Sequence, residues 1–155
     1  MRAPPKVEIE VEDVSGIPGN PSVADFQRWA AAALHGRRSG AEMSVRIVGE
    51  SEGAELNARY RGKTGPTNVL SFPAELPAGV PLPLVGDLVI CAPVVAREVR
   101  EQGKEPSAHW AHLTVHGCLH LIGYDHGHEA ETAEMEALET AILAGLGYPD
   151  PYTSR

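Results

Sequence analysis

The sequence predicts an α+β fold: a single domain over residues 1–155, with one mixed four-stranded sheet packed by about five helices. Three observations lead there. Short segments of period-2 apolar alternation recur along the chain, and segments of helical period are interspersed with them without a strict βαβ rhythm. No internal repeat and no linker long enough to divide a domain interrupts them, and 155 residues suffice for one core but not comfortably for two.

Taken in order, Val7, Ile9 and Val11 alternate with Glu8, Glu10 and Glu12, the pattern of a strand with one wet face. After the breaker Gly16-Ile-Pro-Gly-Asn-Pro21, Ser22 is placed to cap a helix with Asp25 in its first turn, and Val23, Phe26, Ala30 and Ala33 follow at helical spacing. Met43, Val45 and Ile47 alternate as a second strand, and Ser51 is the expected cap of a short helix through Leu56 and Tyr60. Arg59 to Asn68 reads as a basic loop ahead of the apolar run Val69-Leu-Ser-Phe72, and the proline-rich stretch from Pro73 to Pro83 as irregular. Val85 to Ala92 has the composition of a largely buried strand, and Pro93 suits the first turn of a helix towards Gly103. Ser107 is the expected cap of a helix carrying His109, His112, His116 and His120 and stopping near Gly123. The last helix runs from about Glu129 to Leu146, with Met135, Leu138, Ile142 and Leu146 as its apolar stripe and its acidic side chains in solvent.

Composition excludes several functions. A formal charge of −8 argues against a generic nucleic-acid binder, so RNA must be met by a local basic patch and DNA is not expected. Cys91 and Cys118 cannot make a disulfide framework; each reads as a small core residue in a reducing compartment. No apolar run approaches membrane length, and Met1-Arg-Ala-Pro-Pro-Lys6 has no apolar signal region, so a soluble cytoplasmic protein is expected, with no membrane partner.

Six of the seven histidines fall between His109 and His128. His116 and His120, four apart on one helix, project about 40° apart around its axis, the usual way one helix offers two nitrogen ligands to a divalent metal. Gly123 can take positive φ and turn the chain back, presenting His126 as a third ligand. Three neutral imidazoles leave a tetrahedral zinc one open position, as in catalytic sites, so one Zn2+ and a metal-dependent hydrolase-like domain are the reading. His112 reads as packed behind the ligands, and Asp125 as orienting an imidazole or its helix end. Cys118 lies on the opposite side of the helix. Zinc proteases carry a glutamate after the first histidine as general base; here that position is Gly117, which removes the proton acceptor of peptide hydrolysis.

The string His116-Gly-Cys-Leu-His120-Leu-Ile-Gly-Tyr-Asp-His126 resembles the signature of the YbeY family, bacterial metal-dependent endoribonucleases of ribosomal RNA maturation. Leu56-Asn57, Tyr60-Arg61-Gly-Lys63 and Thr67-Asn-Val-Leu-Ser-Phe72 resemble a second run of that family, and Gly86-Asp-Leu-Val-Ile90 and Met135-Glu-x-Leu-Glu139 also match. The resemblance implies an α+β fold, zinc on His116, His120 and His126, and single-strand cleavage in 16S rRNA 3′-end maturation and ribosome quality control, with ribosomal RNA and the small ribosomal subunit as partners. It also implies a functional arginine beside the metal at Arg61. Asn68 departs from the Asp of many members, removing one negative charge near the basic loop.

The local charge agrees. Between Glu55 and Phe72, Arg59, Arg61 and Lys63 face one acidic residue, a balance of +2 that fits a phosphate-binding mouth, the acidic surplus lying on Glu8–Asp13 and Glu129–Glu139. In this reading Arg61 holds the scissile phosphate and Arg59 and Lys63 bind substrate. Two alternatives are a ribosome-assembly factor with a structural zinc and a zinc hydrolase of peptides or small amides.

Overall fold

Residues 5–75, 83–124 and 128–152 are described by the computed structural model of the chain. Strand β1 (Lys6–Asp13) half-buries Val7, Ile9 and Val11 and exposes its three glutamates, as the alternation requires. Helix α1 (Val23–Leu34) begins in a reciprocal capping box: the Ser22 hydroxyl accepts from Asp25 N at 3.2 Å and the Asp25 carboxylate accepts from Ser22 N at 3.0 Å. Its inner face buries Phe26, Trp29, Ala30, Ala33 and Leu34. Strand β2 (Gly40–Val48) buries Ala41, Met43, Val45 and Ile47.

Helix α2 (Glu50–Arg61) starts from Gly49, two residues before the expected Ser51, without a side-chain cap. It runs further than expected, so Arg59 and Arg61 occupy its last turn and the loop begins at Gly62. The reason is favourable placement: basic side chains at a helix C-terminus meet its partial negative charge. Strands β3 (Val69–Pro73) and β4 (Leu84–Cys91) precede α3 (Ala92–Gln102). Helix α4 (Pro106–Leu121) is capped by Glu105, whose carboxylate accepts from Ser107 N and Ala108 N at 3.1 and 2.9 Å; Ser107 is not the cap, because Pro106 already takes the first helical position. Helix α5 (Glu129–Gly145) follows.

The sheet order is β1-β2-β4-β3, with β1/β2 and β2/β4 parallel and β3/β4 antiparallel. The mixed sheet and five helices are the expected α+β domain. Parallel neighbours need crossover connections, supplied by α1 between β1 and β2. The main core lies where α1 and α4 meet the sheet, with Trp29, Ile47, Leu88, Ile90 and Leu119 fully or almost fully buried. A smaller cluster of Val48, Leu70, Val89, Cys91 and Val94 has Leu56 of α2 and Phe72 against it. Both cysteines are buried and unpaired; burial pushes the Cys118 thiol up to about 12, beside Met43. Among the described residues no helix is long and apolar enough to cross a membrane.

Helix α4 positions the site. Most of its side chains are buried against the sheet and its neighbours, and it can approach β4 closely because residue 117 is glycine. A Cβ there would stand 2.6 Å from Leu88 Cδ2, well inside contact distance. At the far end Gly123 takes φ +106°, which ends the helical path at the turn that the sequence predicts.

Candidate active site

On the face of α4 away from Leu88, the histidines form a row. The ring centroids of His109 and His112 are 6.5 Å apart, those of His112 and His116 6.4 Å, and those of His116 and His120 4.7 Å, all edge-on. Helical spacing at i, i+3, i+7 and i+11 produces this row directly.

Behind it lies a carboxylate, Glu139, that the acidic pattern of its helix places in solvent. Glu139 of α5 is fully buried, so the buried stripe of that helix is Met135, Glu139 and Leu143, with Leu138, Ile142 and Leu146 only partly covered. Glu139 Oε2 lies 2.6 Å from His116 Nδ1, and Oε1 lies 2.8 Å from His112 Nε2 and accepts from the Tyr152 hydroxyl. Burial alone would raise the Glu139 pKa, but the bonds from His112, His116 and Tyr152 outweigh it and hold the group down to about 2. An ionised carboxylate only accepts, so His116 presents a proton on Nδ1, and in the neutral ring this leaves Nε2 as the lone-pair nitrogen. The clue in the sequence was position: Glu139 sits four residues from both Met135 and Leu143, on the apolar stripe.

The other side of the row opens into a cavity of about 390 Å³ lined by His116 and His120, by Thr67, Asn68, Val69, Ser71 and Pro73 of the β3 segment, and by Arg61 from the end of α2. Ser71 Oγ donates to Gly117 O at 3.5 Å, which ties the β3 edge to α4. Arg61 is thereby brought to the same cavity as the two histidines although more than fifty residues separate them in sequence. Arg59 and Lys63 are exposed and do not line it; Arg59 is instead paired with Glu55 at 3.0 Å, one helical turn away. His126 and Asp125 fall outside the described residues. His128 is exposed beside Glu131.

Two histidines on adjoining turns, one with its proton held by a buried carboxylate, form the donor chemistry that suits zinc, since a carboxylate behind a ligating imidazole fixes its tautomer and raises its basicity. Among the described residues no set of three His, Cys, Asp or Glu gathers as a complete metal site, so a metal on His116 and His120 would need a further ligand from outside that set. A glutamate in place of Gly117, as peptide hydrolysis would need, has no room against Leu88. The arrangement therefore has a guanidinium and two imidazoles on one cavity and no carboxylate at the position after the first histidine.

A family model described as "Endoribonuclease YbeY" matches residues 17–147. The chain is 56% identical over 155 residues to a protein named endoribonuclease YbeY from Xanthomonas axonopodis pv. citri, covering 97% of this chain and 96% of the other. It is 60% identical over 136 residues to the protein of that name from Nitrosococcus oceani, covering 86% and 89% of the two chains. A solution structure of a Thermotoga maritima protein superposes with a TM-score of 0.57 at 22% identity, over 92% of this chain and 99% of that one, which shows a common fold.

Proposed function

The chain belongs to the YbeY family of endoribonucleases, and from that premise we propose that it is a zinc-dependent, single-strand-specific endoribonuclease. It acts in the cytoplasm on ribosomal RNA of the small subunit, in 16S 3′-end maturation and ribosome quality control. The observation that carries the reading is the single cavity shared by Arg61, His116 and His120, with His116 oriented from behind by buried Glu139.

His116, His120 and His126 would hold one zinc ion, which when bound supplies Lewis acidity towards phosphate and water. The chain's own groups do the rest. Arg61 grips the phosphate of the bond to be cut with its planar fork and offsets charge that grows on the phosphoryl oxygens. Glu139 keeps the His116 proton on Nδ1, and His112 and Tyr152 hold Glu139 in place. Asp125, next to His126, orients that imidazole or its helix end. Arg59 and Lys63 lie outside the cavity and attract the RNA backbone towards it.

Cleavage of a single-stranded pre-16S fragment tests this. Arg61→Ala should lower the rate by roughly 10²–10³, the usual cost of removing one preorganised charge partner, while its exposed position leaves the melting temperature unchanged. Normal cleavage by a folded Arg61→Ala protein refutes the role. If the zinc is a structural staple of an assembly factor, His120→Ala unfolds the protein; the nuclease reading requires a folded, inactive variant.

A further inference from the structure

Of the chain's Phe, Tyr and Trp side chains, all within the described residues, only Tyr60 is exposed, with 56% of its surface open. Single exposed apolar side chains are ordinary, so support and surroundings decide whether this one is more than that. Its ring meets Phe72 edge-to-face, centroids 5.1 Å apart and planes at 78°, and Phe72 packs with Leu56 on the smaller core cluster. The helix end that carries it is fixed. Gly62 N donates to Ala58 O at 3.1 Å, Lys63 N to Asn57 O at 3.4 Å, and the buried Asn57 side chain to Gly65 O at 2.7 Å. Tyr60 is thus an open aromatic face on a rigid mount.

Its surroundings are basic. Arg59 and Arg61 flank it in the last turn of α2 and Lys63 follows, all three exposed. Arg61 lines the cavity that His116 and His120 share. Strand β3 fixes where the ring lies relative to that cavity. Ser71 and Pro73 line the cavity, whereas Phe72 between them faces the other side, by the alternation of a strand, and meets Tyr60 there. Because β3 is an outer strand of the sheet, the guanidinium and the ring stand on the two sides of one sheet edge. They belong to adjacent residues, whose Cα atoms are about 3.8 Å apart, so one strand of nucleic acid reaches both.

Resting on the nuclease reading, we propose that Tyr60, backed by Phe72, is a stacking site for one unpaired base beside the scissile phosphate, and that it selects single strands. With that phosphate on Arg61, the strand bends round the β3 edge and lays a neighbouring base on the tyrosine ring. A base splayed out of a single strand has an open π face to offer; a base inside a duplex has both faces stacked on its neighbours. Every base has such a face, so the site accepts any sequence, with Arg59 and Lys63 adding charge along the backbone.

Stopped-flow anisotropy of a short labelled single-stranded RNA, which reads binding before any cut, tests this on the full chain as purified. Tyr60→Leu still covers Phe72 with apolar surface but has no π face, and Tyr60→Phe keeps both; melting curves check that the two variants fold. Tyr60→Leu should weaken binding about 5- to 150-fold, the usual worth of one base on an aromatic ring, and Tyr60→Phe should bind as wild type does. In a series of the same RNA with one base removed at a time, one member should bind wild type more weakly by a similar factor. Tyr60→Leu should bind that member as it binds the intact RNA. A fully paired hairpin should bind wild type and Tyr60→Leu alike. Unchanged binding by Tyr60→Leu, an abasic loss that persists in that variant, or failure of the intact RNA to bind overturns the site. Loss at no abasic position overturns it without any variant. Binding is read apart from cleavage, so a chain that shows the abasic loss but cuts no RNA refutes the nuclease reading alone. One that cuts RNA with no loss at any abasic position refutes the stacking site alone.

Discussion

Replacing Glu139 by glutamine changes one buried atom and should be felt in two measurements. Both carboxylate oxygens accept now: Oε2 from His116 Nδ1 at 2.6 Å, and Oε1 from His112 at 2.8 Å and from the Tyr152 hydroxyl. A glutamine offers one acceptor and one NH₂, so whichever way it is placed its NH₂ confronts a donor. Facing His116, it breaks the bond or forces the ring proton onto Nε2, the nitrogen a metal needs; facing His112 and Tyr152, it loses both of them. One charge-assisted hydrogen bond lost and one buried donor left unsatisfied cost about 1.5–3 kcal/mol, and no longer burying a charge offsets part of that. At about 2–4 °C per kcal/mol for a domain of this size, the metal-free protein should melt about 3–12 °C lower, nearer the low end. Zinc affinity has no such offset and should fall about 10- to 100-fold. Calorimetry of the metal-free protein and competition against a chromogenic chelator read the two effects. A Glu139→Gln protein with wild-type melting and wild-type zinc affinity would refute the orienting role.

Gly117→Ala places a methyl 2.6 Å from Leu88 Cδ2, and Leu88 is fully buried, so overpacking should cost about 1–3 kcal/mol in a denaturant titration; an unchanged midpoint would mean that α4 and β4 are not in close register. Arg59→Ala and Lys63→Ala should slow RNA cleavage at low salt and have no effect near 1 M, where the Debye length is about 3 Å; an effect that persists at high salt would put them in direct contact with the scissile strand. Glu98, held below its unfolded pKa of about 4.3 by His109 and Asn68 against the opposing push of burial, stabilises the fold above that pH. The stability difference between wild type and Glu98→Gln should therefore be full at pH 6–7 and shrink as pH falls through about 4; a gap that widens in acid would contradict the assignment.

What could be read in the sequence was what local spacing encodes. Alternation in Val7–Val11 and Met43–Ile47 marks strands, the Ser22–Asp25 box marks a helix start, and the i, i+4 pair His116 and His120 with Gly123 beyond marks two imidazoles on one helix face and the end of that helix. What could not be read depends on which segments meet. Glu139 lies in a helix crowded with acidic residues, and its neighbours at positions 131 and 134 are exposed; only the packing of α5 on α4 turns it inward onto His116. Arg61 reaches the histidines because β3 pairs antiparallel with β4 and leads the chain from α2 to the α4 face, a non-local pairing. The two misplaced caps have a local cause: Ser51 and Ser107 are good cap residues, but Gly49 and Glu105 precede the first helical turn, and at the second of these Pro106 already signals the position.

The central claim is that zinc on three histidines serves chemistry and not merely the fold, and elemental analysis joined to an RNA-cleavage assay tests it most directly. The protein as purified, the chelator-stripped protein, the stripped protein with zinc restored, and His126→Ala would each be assayed on the same pre-16S fragment, with circular dichroism recorded alongside. The account predicts one zinc per chain, cleavage lost on stripping and regained with zinc, and a folded, inactive His126→Ala. Undiminished cleavage by folded, metal-free protein would contradict it.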